Sequence, residues 1–244
     1  EGAFPTANGE DNIENLKKVV NQYNSGKGPY MVAEFYPGWL DHWAEEFQKV
    51  STETVVAQMK KYLENDVSFN FYMVHGGTNF GFTSGANYDK NHDIQPDMTS
   101  YDYDAPITEE GKVTEKYKVI REVIQKYLPA NEKLPEIPEE VPVVKVPDFK
   151  PAPFTSLWNN LPEPVKLVQP QPMEYLDQYQ GVILYRTKLV GHKSGKLILR
   201  DLHDYALVFL NGQLIDTVDR RLNENTVILP KTDGETPVLD ILVE

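Results

Sequence analysis

Two kinds of periodicity divide this sequence into an α/β part and an all-β part, and three observations carry the division. Up to Leu128, apolar strand-like runs alternate with amphipathic helical stretches, which is α/β organisation. Residues 129–172 then hold most of the prolines. From Gly181 onward, short apolar runs recur with turn residues between them, as in an antiparallel β module.

Asn12 to Tyr23 is the first amphipathic stretch. Pro29-Tyr-Met-Val-Ala33 is a short apolar run entered through Gly26 and Gly28 and stopped by Pro37 and Gly38, so it predicts a buried strand of a parallel sheet. Thr52 to Asn65 sets Val55, Val56, Met59, Tyr62 and Leu63 on one helical face with lysines and glutamates opposite. Val67 to Val74 is rich in aromatic and β-branched residues, a second buried strand, and it breaks at His75-Gly-Gly. Strand, helix, strand implies a right-handed crossover. Thr114 to Leu128 repeats the helical pattern through Tyr117, Ile120, Val123, Ile124 and Tyr127. The first part therefore reads helix, strand, helix, strand, helix.

Pro-Glu-Ile-Pro-Glu-Glu-Val-Pro and Pro-Asp-Phe-Lys-Pro-Ala-Pro make 129–172 an extended connector; a strap lying on a domain and a free linker share this composition. Beyond it, strands are expected at Val182–Leu189, Lys196–Leu199, Tyr205–Leu210, Gln213–Ile215, Thr226–Leu229 and Leu239–Glu244. Asn211-Gly212 supplies a two-residue hairpin turn.

Glu34 is the most informative residue. It closes the first apolar strand, and Phe35, Tyr36, Trp39 and Trp43 crowd the turn behind it. A carboxylate at the carboxyl end of a parallel strand lies at the mouth of a barrel, where barrel enzymes place catalytic groups. Flat aromatic faces stack on the C–H side of a sugar while their polar edges reach its hydroxyls. An acid in this position can equally be structural, satisfied by backbone N–H groups.

Three longer segments carry a resemblance. Glu34-Phe-Tyr-Pro-Gly-Trp-Leu-Asp-His-Trp43, Asn70-Phe-Tyr-Met-Val-His-Gly-Gly-Thr-Asn-Phe-Gly-Phe82 and Thr99-Ser-Tyr-Asp-Tyr-Asp-Ala-Pro-Ile-Thr-Glu-Glu-Gly111 resemble signature segments of the β-galactosidases of glycoside hydrolase family 35. The resemblance implies part of a (β/α)8 TIM barrel over 1–128, the proline-rich linker over 129–172, and over 173–244 the start of a jelly-roll β-sandwich of the galactose-binding type. It implies a retaining exo-β-galactosidase that removes terminal β-linked galactose. Glu34 matches the family nucleophile, and Tyr36, Trp39, Tyr72, Tyr101 and Tyr103 match positions lining the galactose pocket. A hydrogen bond to Glu34 from a tyrosine hydroxyl such as that of Tyr72 is expected.

A retaining glycosidase also needs a protonated carboxyl about 5 to 5.5 Å from the nucleophile. In the family it is a glutamate in an Asn-Glu pair ending an earlier barrel strand. Asn-Glu occurs here at Asn131-Glu132, in the linker, and at Asn223-Glu224, in a turn, so neither suits the role. The expectation is an internal fragment whose partner is the missing amino-terminal half of the same enzyme. The alternatives are an exo-β-glucosaminidase of similar fold and an inactive fragment acting as a carbohydrate-binding or structural module.

The formal net charge of -13 disfavours nucleic acid and anionic membrane surfaces as partners, while a neutral galactose-terminated glycan is compatible with it. Zero cysteines exclude disulfides, thiolate metal sites and thiol nucleophiles. His42 and His75, with Asp41, Asp89, His92 and Asp93, are scattered over loops, whereas zinc needs three or four converging ligands. His75-Gly-Gly-Thr lacks the Lys-Ser/Thr ending of a phosphate-binding loop. No metal and no cofactor are expected, and the family's substrates imply a secreted or periplasmic setting. The alternating Tyr101-Asp-Tyr-Asp104 predicts an extended segment with both tyrosines on one face and both aspartates capping the loop from the other.

Overall fold

The computed structural model describes residues 2–191, 194–232 and 236–244. Two compact units emerge, Glu1–Gly85 with Pro96–Val143 and Ala86–Gln95 with Val144–Glu244.

The first unit is built on three parallel strands in the order β1 (Ala7–Asn8), β2 (Tyr30–Phe35), β3 (Val67–Phe71). Helices α1 (Ile13–Asn21), α2 (Thr52–Leu63) and α3 (Glu115–Tyr127) start where a side chain satisfies an orphan backbone donor. Asn12, Ser51 and Thr114 accept hydrogen bonds from the amides of Asn15, Thr54 and Tyr117, caps worth about 1 kcal/mol each. Helical spacing then gathers Leu16 and Val20, Val55, Met59 and Tyr62, and Ile120 and Val123 into one core with Val32, Phe35 and Val67. Phe35 is its centre: it stacks on Phe71 at 4.8 Å between ring centroids and meets Tyr62 edge-on at 5.2 Å.

The helices and the two long strands lie where the periodicity predicts, with three differences. The two-residue β1 was not anticipated; the run between Pro5 and Gly9 is too short to show a period, and only pairing with β2 makes it a strand. β2 continues through Glu34 to Phe35, and β3 ends at Phe71 instead of Val74.

The third difference concerns Glu34. Val32 and Phe35, three residues apart, are both fully buried in the same core, which regular two-residue alternation forbids. The register explains it. Ala7 and Asn8 of β1 face Val32 and Glu34, and Phe69 and Phe71 of β3 face Val32 and Phe35, so β2 carries one extra residue against both neighbours. This β-bulge turns Glu34 out of the face that Val32 and Phe35 share. The Asn70 side chain donates to the Ala33 carbonyl, inside the bulge, at 3.2 Å.

Beyond β3 the chain makes a small antiparallel pair, β4 (Gly77–Thr78) with β7 (Ser100–Tyr101); β5 (Ala86–Asn87) pairs with β6 (Gln95–Pro96). The strand ends at Tyr101, so the extended segment through Asp104 read from the sequence does not form. Tyr103 and Asp104 both adopt left-handed backbone, with φ of 63° and 50°.

In the second unit, β8 (Ile183–Lys188), β10 (Tyr205–Leu210), β11 (Gln213–Asp219) and β13 (Val238–Val243) form an antiparallel sheet in the order β11-β10-β13-β8. A second pair joins β9 (Gly195–Ile198) to β12 (Thr226–Leu229). Alternate residues of β10, Ala206, Val208 and Leu210, share a core with Val227 and Leu229 of β12, so the two sheets bury a common face. Asn211 and Gly212 take φ of 51° and 78°, the two positive angles that a type I′ hairpin requires. Asp240, 2% exposed, is matched by Arg186 on the neighbouring strand through bonds of 2.6 and 3.0 Å.

Residues 129–172 contain no α-helix or strand, only a 3₁₀ turn at Leu157–Asn159. They are nonetheless fastened to their own units. Leu134 and Glu132 bond the Gln125 side chain, and Arg121 donates to the Pro135 carbonyl. Trp158 packs edge-on against Phe209 at 5.0 Å, and Tyr185 donates to the Gln171 carbonyl at 2.7 Å.

Candidate active site

Glu34 stands at the carboxyl end of β2, turned away from the helix-packed core by the bulge. One residue later the chain leaves the strand, and the Tyr36 hydroxyl returns to donate a 2.7 Å hydrogen bond to Glu34 Oε2. The tyrosine that serves the acid is therefore Tyr36, where the sequence suggested Tyr72. Two positions along β2 and its exit place the phenol beside the carboxylate, while Tyr72 is held elsewhere: its amide donates to the Phe35 carbonyl at 2.9 Å and its ring lies 6.4 Å from that of Tyr36.

All five aromatic residues expected at the pocket come together. Tyr36 meets Trp39 edge-on at 5.2 Å, Trp39 lies 6.2 Å from Tyr103, Tyr72 lies 5.8 Å from Tyr103, and Tyr101 lies 5.3 Å from Tyr103. Tyr103 is 1% exposed and forms the base of the group, whereas Trp39 and Tyr72 are 40% and 38% exposed at its rim. Trp43 remains largely exposed.

The phenols are held neutral. Burial, reinforced by the Glu34 hydrogen bond and charge, pushes the Tyr36 hydroxyl up to about 12. Burial raises Tyr101 as well, aided by its hydrogen bond with Tyr72, and burial raises Tyr103. Each stays a hydrogen-bond donor at any ordinary pH.

Glycines fit where the loops approach. A Cβ on Gly9, whose φ is +63°, would meet Tyr36 Cε2 at 2.7 Å, and the Gly9 amide donates to the Glu34 carbonyl at 2.8 Å. A Cβ on Gly38 would lie 1.6 Å from the Tyr103 carbonyl oxygen, so the turn after β2 and the Tyr101–Tyr103 loop touch through backbone. The sequence reading missed Gly9, and Asn8, which pairs across from Glu34; the Asn-Gly pair ahead of α1 was the available signal.

The aspartates of the tyrosine loop divide. Asp104 anchors it, accepting from the Val50 amide at 3.0 Å, from Lys49 at 2.9 Å and from Lys116 at 2.7 Å. Asp102 contributes its carbonyl to the Ala105 amide. The two Asn-Glu pairs are structural: the Glu132 carbonyl accepts from Gln125, and the Glu224 carboxylate accepts from the Asp219 amide at 3.1 Å. Among the described residues no group of three or more His, Asp or Glu could hold a metal. His42 lies 3.2 Å from Glu45, His75 pairs through its backbone with Ile107, and His92 lies 2.9 Å from Asp89. No helix among the described residues is long and apolar enough to cross a membrane.

This arrangement suits a single sugar ring: a carboxylate fixed on one oxygen, aromatic faces for the C–H surface, and neutral phenols for the hydroxyls. Comparison with known proteins agrees. Residues 3–127 match the model of the glycosyl hydrolases family 35, and residues 170–244 match that of the first all-beta domain of beta-galactosidase. A beta-galactosidase of Xanthomonas manihotis is 36% identical over 218 residues, covering 88% of this chain and 36% of the relative. A beta-galactosidase of Canis lupus familiaris is 37% identical over 236 residues, covering 92% of this chain and 34% of the relative. Beta-galactosidase-1-like protein 3 of Mus musculus is 35% identical over 252 residues, covering all of this chain and 37% of the relative. The chain thus spans about a third of the length of the curated relatives it matches. With its first unit matched from end to end of the strand, acid and tyrosine segments, the chain belongs to the glycosyl hydrolases of family 35.

Proposed function

We propose that this chain carries the nucleophile and most of the galactose pocket of a retaining exo-β-galactosidase. The observation that supports it most is the Glu34 carboxylate at a parallel strand end, held at 2.7 Å by the hydroxyl of Tyr36, whose ring belongs to a contiguous cluster with Trp39, Tyr72, Tyr101 and Tyr103. Relatives named beta-galactosidase support the substrate class, a glycan ending in β-galactose.

In the reaction, the Glu34 oxygen not engaged by Tyr36 attacks the anomeric carbon as the glycosidic C–O bond breaks. A second carboxyl group, from outside this chain, gives its proton to the departing oxygen. The covalent galactosyl ester on Glu34 is then hydrolysed by water, with that second group acting as base. Tyr36 holds the carboxylate in line and stabilises it as it leaves. Exo action on a single terminal residue follows from the family reading, and a buried Tyr103 with Tyr101 beside it is compatible with it. Neither a metal nor a cofactor is required. The linkers, the jelly-roll continuation of the second unit and the secreted or periplasmic setting follow from the same family reading.

The test is mass spectrometry of the full-length enzyme incubated with a 2-deoxy-2-fluoro-β-galactoside bearing a good leaving group, followed by peptide mapping. The proposal expects a fluorogalactosyl adduct on Glu34 and loss of many powers of ten in turnover for Glu34→Gln. Labelling of another residue, or near-normal turnover in Glu34→Gln, would remove Glu34 from the role.

A further inference from the structure

The two loops that form the tyrosine pocket are fastened to each other by one buried amine. Lys116 lies in the first turn of α3, where a positive charge opposes the helix dipole, and it is only 7% exposed. A lysine in that position is costly unless all three N–H groups find acceptors. They do: Lys116 Nζ donates to the Pro37 carbonyl, to the Asp104 carbonyl and to Asp104 Oδ2, each at 2.7 Å.

Those acceptors are placed tellingly. Pro37 directly follows Tyr36, and Asp104 directly follows Tyr103, so one ammonium grips the backbone next to a pocket residue on each loop. The same two loops meet at Gly38 and the Tyr103 carbonyl, where a Cβ would have 1.6 Å of room. The left-handed backbone of Tyr103 and Asp104 is unfavourable for residues with a side chain and persists because these contacts over-determine it. Asp104 extends the junction to the entry of α2 through the Val50 amide. Lys49 also reaches Asp104, but its side chain is 68% exposed, and such a pair contributes little.

We propose that Lys116 and Asp104 are positioning residues for the glycosidase: their buried pair sets the separation of the Tyr36–Trp39 wall from the Tyr101–Tyr103 wall and hence the width of the galactose pocket. The proposal rests on the galactosidase reading above, and its test keeps the two apart. In the full-length enzyme, Lys116→Met, Asp104→Asn and the control Lys49→Met are compared by hydrogen exchange of residues 36–41 and 101–106, by galactose inhibition, and by kcat and KM on an aryl β-galactoside.

Lys116→Met is expected to speed exchange in both loops together and to lower kcat/KM by about a hundredfold, the scale of a displacement of roughly 1 Å. Most of that loss is carried by KM and by weaker galactose inhibition, while the fluorosugar still labels Glu34 at saturation. Asp104→Asn, which keeps the shape and removes only the charge, shifts the same quantities in the same direction and covers the case in which Lys116→Met does not fold. Lys49→Met leaves them near wild type. Exchange that is unchanged in both loops of a folded variant, or accelerated in one loop alone, would overturn the clamp. Exchange is read without substrate, so it decides the clamp even where labelling of the wild-type enzyme argues against Glu34.

Discussion

Tyr36→Phe removes a single oxygen and keeps the ring that touches Trp39 and Tyr72, so it isolates the hydrogen bond to Glu34. In the second half of the proposed reaction Glu34 would depart as a carboxylate and recover its charge, and the Tyr36 donor at 2.7 Å is aimed at one of the oxygens that would receive it. A hydrogen bond to a charged group contributes about 1.5–3 kcal/mol. At about 1.36 kcal/mol per tenfold, its loss lowers kcat by roughly 10- to 150-fold. Because the step that slows is hydrolysis of the covalent intermediate, KM falls as well, and a burst of released aglycone appears. Stopped-flow kinetics with a nitrophenyl β-galactoside measures both. The hydroxyl pushed up to about 12 also predicts that Tyr36 introduces no alkaline limb into the activity of the wild type below about pH 11. A kcat within about twofold of wild type, with no burst, would show that the hydroxyl does not act on Glu34 in the rate-limiting step.

Gly38→Ala places a methyl group 1.6 Å from the Tyr103 carbonyl, backbone that cannot yield without separating the loops. The expected result is overpacking of at least about 1–3 kcal/mol, seen as a lower Tm, with a raised KM. Gly85→Ala, which meets nothing within 4 Å, is the control and leaves both unchanged; equal behaviour of the two variants would refute the close approach. Acid stability follows from Asp104. Burial raises its carboxyl, but hydrogen bonds from Lys116, Lys49 and the Val50 amide outweigh that and hold it below the usual carboxylate value. A depressed folded value gives stability that is present above the unfolded value of about 3.9 and lost as pH falls through the folded one. Thermal melts from neutral pH downward are thus expected to show a drop below about pH 4 that is smaller in Asp104→Asn; an equal drop in both would remove Asp104 as a source.

Much of this protein is legible in the order of its residues. Helical spacing in Leu16 and Val20, and in Val55, Met59 and Tyr62, marks the faces that pack, and Asn12, Ser51 and Thr114 mark where those helices begin. Tyr72, Tyr101 and Tyr103 were expected only from the resemblance to family 35, whereas Asn211-Gly212 specifies its hairpin, and an acid between an apolar run and the rings of Tyr36, Trp39 and Trp43 singles out Glu34. These signals are local, because period, cap and turn each act within a few residues of chain.

What tertiary structure decided involves partners distant in sequence. Regular alternation would put Glu34 on the same face as Val32, among apolar side chains; the extra residue in β2, defined only by its register against β1 and β3, turns the carboxylate toward the tyrosines. Which phenol bonds it depended on where the chain runs after the bulge, so Tyr36 holds Glu34 although the spacing allowed Tyr72. The alternation of Tyr101 to Asp104 gave way to left-handed backbone because Lys116, on a helix beginning more than ten residues later, grips Asp104 and Pro37 together. A buried amine satisfies its three donors wherever folding brings three acceptors, and no local pattern in the chain announces that meeting.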